Sequence, residues 1–132
     1  MNFIQSIFTN PYFSSGSLNR SEIKLAHGLT REARESASRA DEEARNGMAA
    51  QKVAMDSRET AGRDLAVIAL WHYEQALKLY REAIDWFEQA ARVWPQAKRR
   101  KLIKSDLSKM TERAIETESS IAFLNNNFFE QN

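Results

Sequence analysis

Two histidines, a run of five cations and scattered carboxylates are the side chains of this 132-residue chain with chemistry to offer. His27 and His72 each lack a second ligand one helical turn away, so neither begins a metal site. His72 stands between Trp71 and Tyr73 on an apolar seam and reads as a packed or edge histidine. Di-metal sites in helical bundles need Glu-x-x-His pairs on two helices, and the sequence holds no such pair. Glu74 and Glu82 are spaced for a solvated face, not for a carboxylate pair. Phosphate-cradling glycine loops and glycine-flanked serine nucleophiles are also missing from the sequence. Without cysteine there is no thiolate ligand, thiol nucleophile or disulfide. The reading is a non-enzyme: no catalytic residue, no metal and no cofactor is expected.

The cations Lys98, Arg99, Arg100, Lys101 and Lys104 form the one strong electrostatic feature. They fall in the first turns of a helix, where positive charge opposes the helix dipole. Two readings stand. One is a solubilising rim paired with nearby acids such as Glu88. The other is contact with an anionic lipid surface, a nucleic acid or an acidic peptide. No aromatic residues interleave with the cations, which argues against a single-strand nucleic-acid platform. The net charge of +1 supplies no global pull toward nucleic acid either.

These residues must be positioned by helices. The chain is 42% hydrophobic and 28% charged, with only two prolines and four glycines. That composition describes a folded, helix-rich domain. No run approaches the ~20 apolar residues of a membrane span, and the first residues make a poor signal peptide. Leu65 to Trp94 contains no breaker and carries two apolar seams. Leu65, Ala69, His72, Ala76, Leu79, Ala83, Trp86, Ala90 and Val93 form one; Leu70, Tyr73, Leu77, Tyr80, Ile84, Phe87, Ala91 and Trp94 form the other. Two seams require two neighbours, which makes this the middle helix of a bundle.

The neighbour before it starts near Ser21 or at Thr30, after Gly28. Its inward stripe is expected to be Ala33, Ala37, Ala40, Ala44, Met48 and Met55, small enough for close approach. Arg34, Asp41, Glu42, Arg45 and Lys52 are expected on its solvated face, and Gly47 is a weak point. Ser57, Thr60 or Asp64 is a candidate cap for the central helix, with Gly62 in the turn. Pro95 ends that helix and opens the next. Ile103, Leu107, Met110, Ala114, Thr117, Ile121, Leu124 and Phe128 then repeat every four and three residues, with the triple Asn at 125 to 127 as a candidate stop. Residues 1–20 read as a flexible or short amphipathic segment, with Ser14 to Ser17 as linker. The expected fold is all-α: an up-down-up antiparallel three-helix bundle over 21–128, with long helices at about 21/30–56, 62–94 and 95–125.

Two runs resemble a known family. Tyr73-Glu74-Gln75-Ala76-Leu77-Lys78-Leu79-Tyr80-Arg81-Glu82-Ala83-Ile84 is similar to the Tyr-x-x-Ala-Leu-x-x-Tyr-x-x-Ala-Ile run in helix two of the MIT domain (microtubule interacting and trafficking). Met110-Thr111-Glu112-Arg113-Ala114 resembles the Tyr-Leu-x-Arg-Ala signature of its third helix. The resemblance covers roughly residues 63–120. The first run is also shared with tetratricopeptide repeats. Against a repeat, no turn separates Leu70 from Ala83, and the pattern does not recur ~34 residues away.

The MIT resemblance implies a three-helix bundle that binds segments of ESCRT-III tails along helix three, in the groove with helix two or with helix one. It departs from the family at Thr111, where a leucine is usual, and at Ile115, where many tail-binding members carry an acid. The expected consequence is weak binding of a standard basic-leucine tail, or preference for a more apolar partner. The candidate groove wall is Ser108, Thr111, Ile115 and Glu118. The expected setting is membrane remodelling, vesicle trafficking or autophagy, cytoplasmic and endosome-associated. Two alternatives remain open: an oligomerising helical scaffold or coiled-coil subunit, and an anionic membrane-surface binder using the basic run.

Overall fold

Small side chains on the first helix govern how closely the chain can fold on itself. The computed structural model describes residues 16–129, with side chains from Arg20 onward. Among them are three helices and no strand: α1 (Gly16–Asp56), α2 (Gly62–Val93) and α3 (Ala97–Leu124), followed by one π-helical turn, Asn125–Phe129. The fold is an all-α, up-down-up bundle. The readings for residues 1–15 lie outside the described residues.

α1 begins at Gly16, upstream of both expected starts, so Gly16 and Ser17 belong to helix instead of linker. Gly28 does not interrupt it. An interior glycine costs a helix about 1 kcal/mol relative to Ala. Ile23, Ala26 and Leu29, packed into the core on either side, offset that cost.

The buried row of α1 is Ala26, Ala33, Ala40, Gly47 and Ala54, one residue every seven. Met48 was expected in this row but is 62% exposed. Stepping by four residues turns 40° too far each time, whereas stepping by seven stays nearly on the line. Gly47 takes the inward place that the expected stripe gave to Met48.

α2 answers with two ladders of the same step. Gly62, Ala69, Ala76, Ala83 and Ala90 alternate with the aromatics Tyr73, Tyr80, Phe87 and Trp94, and all are buried. This row draws alternate members from each of the two seams read from sequence, whose remaining members become its flanks. A Cβ built on Gly47 would lie 2.8 Å from Tyr73 Cδ1 and 2.9 Å from Cε1, so the missing side chain is what admits the ring. The shared step then carries Ala40, Ala33 and Ala26 past Tyr80, Phe87 and Trp94. Polar tips confirm the antiparallel register. Tyr73 Oη donates to Gln51 Oε1 at 2.6 Å, and Trp94 Nε1 donates to Thr30 Oγ1 at 3.0 Å.

No side chain caps α2. Ala61 holds the cap position, and Thr60 Oγ1 instead bonds the Ser57 carbonyl at 3.1 Å. Gly62 starts the helix hard against α1, where a Cβ would meet the Ala54 carbonyl at 2.8 Å. Ahead of Pro95, Trp94 leaves helical geometry at ψ 120°. α3 packs against α2 through Ile103, Met110, Thr117 and Leu124, again seven apart, and meets α1 at few points. The Asn triplet does not break the chain direction but widens the last turn. Arg58 Nη2 donates to the Asn127 carbonyl at 3.3 Å, and Arg58 and Arg63 lie over the Phe128 and Phe129 rings at 5.7 and 5.8 Å.

The two interior glycines of α1 should respond oppositely to one substitution. Gly28→Ala adds a Cβ into open space and should stabilise by roughly 0.5–1 kcal/mol. Gly47→Ala collides with Tyr73 and should destabilise by about 1–3 kcal/mol despite its better helix propensity. Urea midpoints of the two variants check this, and a gain for Gly47→Ala would contradict the packing described.

Candidate functional site

α3 buries one narrow row and leaves the rest of its surface open. Ile115 is 59% exposed, a large apolar side chain with no cover. Around it Lys104, Leu107, Ser108, Thr111, Glu112 and Glu116 outline a shallow depression of about 660 Å³. The structure therefore brings together Ser108, Thr111 and Ile115 of the expected groove wall. Thr111 Oγ1 is taken up by its own helix, donating to the Leu107 carbonyl at 2.9 Å. Glu118 is not at the depression; it turns to Arg81 of α2 at 3.5 Å, an exposed pair worth little. Of the four-three seam of α3, on which the oligomer reading rested, Ile103, Met110, Ala114, Thr117 and Leu124 are buried, whereas Leu107 and Ile121 are half-buried.

A second groove lies on the other flank of α3. α1 contributes Asp41, Ala44, Arg45 and Met48, and α3 contributes Arg113, Glu116, Thr117 and Ser120, with Tyr73 and Tyr80 of α2 also lining it. It encloses about 360 Å³. It exists because α3 stands away from α1, where no small-residue row draws the two together.

One polar node ties the three helices at this groove. Tyr80 Oη donates to Asp41 Oδ1 at 2.5 Å. Arg113 Nη1 reaches both Asp41 oxygens, at 3.2 and 2.9 Å. Asp41 was read as part of a solvated face; it is half-buried because α2 and α3 each bring it a donor. Burial first, and then the neighbouring Asp41 carboxylate, push the Tyr80 phenol well above the ordinary tyrosine range. Burial raises Tyr73 as well. Arg113 is the arginine of the Arg-Ala signature, and its structural partner across the bundle was not visible in sequence. The hint was the Tyr80 position of the central run, whose hydroxyl needs an acceptor once buried.

His72 lies at the edge of the core, with Nδ1 2.6 Å from Glu43 Oε2 and its ring edge-on to Trp71 at 5.0 Å. Of the tryptophans, Trp94 is buried, Trp86 is half-buried and Trp71 is 53% exposed. No group of three or more His, Cys, Asp or Glu among the described residues could hold a metal. No helix among them is long and apolar enough to cross a membrane.

The basic run divides in two. Arg100 Nη1 donates to the Trp94 and Pro95 carbonyls at 2.8 and 2.7 Å, satisfying the exposed end of α2. Arg99 lies over the Trp94 ring at 5.3 Å. The arginines thus fasten the α2–α3 corner through carbonyls and a ring, while Lys98, Lys101 and Lys104 remain exposed.

The raised tyrosines set an alkaline limit on stability. The unfolded chain releases each phenolic proton near pH 10, whereas the folded chain retains those of Tyr80 and Tyr73 beyond it. Stability is therefore constant from this source below about pH 10 and falls above it, by up to about 1.4 kcal/mol per pH unit for each tyrosine. Urea unfolding between pH 8 and 11 should show this fall, with a shallower one in Tyr80→Phe.

Residues 71–119 match the family model of the MIT (microtubule interacting and transport) domain. No curated protein and no solved structure matches the chain. The matched span takes in most of α2 and all but the last residues of α3, and so includes Tyr73, Tyr80, Arg113 and the depression around Ile115. Over residues 71–119, this three-helix chain matches the MIT domain, a protein-interaction domain.

Proposed function

We propose that the chain is a non-catalytic interaction module that binds short tail segments of ESCRT-III type along α3. The observation that carries this is the uncovered Ile115, set among Leu107, Ser108 and Thr111 within the span that matches the MIT domain. The depression is shallow and rimmed by Lys104, Glu112 and Glu116, a form suited to helix-in-groove recognition with one apolar anchor and a charged border. With Ile115 where an acid would receive a basic tail residue, the preferred tail presents an apolar side chain there. Such a module acts in membrane remodelling, vesicle trafficking or autophagy, in the cytoplasm and at endosomes.

Fluorescence anisotropy with a panel of ESCRT-III-type tail peptides tests the reading. Apolar tails should bind with micromolar Kd, and Ile115→Asp should weaken them about tenfold or more while improving basic tails. Because Ile115 is 59% exposed, the variant should melt like the parent. Absence of binding to every tail overturns the proposal.

A further inference from the structure

One pole of the bundle, where α1 starts, α2 ends and α3 starts, is strongly basic. Residues 89–105 hold six cations and no carboxylate, in a chain whose net charge is only +1. Lys98, Lys101 and Lys104 are exposed on α3, and Arg20 and Lys24 are exposed on α1. The register that sets Ala26 against Trp94 brings those two to the same pole. Glu22, the acid among them on α1, is buried. Two apolar side chains stand out in this positive field. Leu102 is 54% exposed beside Lys98 and Arg99, and Leu25 is 42% exposed next to Lys24.

We propose that this pole docks on an anionic lipid membrane, with its lysines against the headgroup phosphates and Leu102 and Leu25 entering the headgroup–acyl boundary. The arrangement suits a surface better than an acidic peptide. The cations belong to two helices, Arg20 and Lys24 to α1 and Lys98, Lys101 and Lys104 to α3. The free cations of α3 at this pole are all lysines, point charges without the planar fork that reads single carboxylates. The apolar side chains are single: Leu102 stands among Gln96, Lys98 and Arg99, and Leu25 beside Lys24, Arg31 and Glu32. Each cation held near an anionic leaflet raises partitioning about fivefold, and a shallowly inserted leucine adds to that. Ile115 lies thirteen residues further along α3 than Leu102, about 20 Å up the helix. A bundle standing on its basic pole therefore keeps Ile115 clear of the lipid, and the two contacts meet only at Lys104, at the near rim of the depression.

Flotation of the full chain with phosphatidylcholine vesicles, with and without one-third phosphatidylserine, tests the proposal. Binding should require phosphatidylserine and fade at high salt. It should drop roughly 100-fold in the Lys24→Ala, Lys98→Ala, Lys101→Ala variant and several-fold in Leu102→Ser. These side chains are exposed, so circular dichroism should show both variants folded, and tail-peptide binding by the triple variant should match the parent, which keeps this test separate from the Ile115 flank. Equal binding to neutral and anionic vesicles overturns the proposal. So does an unchanged vesicle affinity in Leu102→Ser together with equally tight binding to polyglutamate or single-stranded DNA, which would mark the pole as a general polyanion site.

Discussion

The fit of aromatic rings over alanine and glycine is the contact on which the rest of the structure depends. Tyr73, Tyr80, Phe87 and Trp94 can lie inward only because the facing row of α1 offers almost no side-chain bulk. Close packing of this kind gains dispersion along the whole length of both helices, and it makes the interface intolerant of volume. It also fixes register: a slip of one residue would set the rings against His27, Arg34, Asp41 and Met48, or against Leu25, Glu32, Arg39 and Asn46, in place of Ala and Gly. The hydrogen bonds from Tyr73 and Trp94 to α1 hold the same register from the polar side.

The position of α3 follows from that contact. α1 and α2 use their small residues on one another, so α3 meets the outer flank of the aromatic row and stays apart from α1. The gap is bridged by the Asp41 carboxylate, held by Tyr80 and Arg113. Half-buried polar nodes of this type tend to select one arrangement of elements more than they add stability. Here the node links α1 to both other helices across that gap.

Much of this was legible in composition and period, and what was missed has a physical explanation. Three long helices, the break at Pro95 and the family run from Tyr73 to Ile84 could be read directly. The inward row of α1 was misplaced at Met48 because hydrophobicity was followed there, whereas the packing selects for absence of bulk at Gly47. Two seams on α2 were correct as positions but not as a division. The row between them is the most buried, and no pattern within one helix shows where its neighbours touch. Gly28 illustrates that a poor helix former yields to tertiary contact on both sides. Asp41 and Glu118 were misassigned for one reason: a charged residue on a helix flank can face water or a partner, and only the partner's position decides.

The seven-residue step has one more consequence, for the shape of the grooves. A straight α-helix drifts about 20° for every seven residues. The buried row of α2 nevertheless keeps its step from Gly62 to Trp94, so the pair must coil around each other in a left-handed sense to stay in contact, by about 90° over that length. The channels beside α3 inherit this turn and run as shallow spirals. A bound segment of one or two helical turns can ignore the curvature. A longer rigid helix would lift away at its ends, whereas an extended chain, which bends at every residue, could follow the channel along its length.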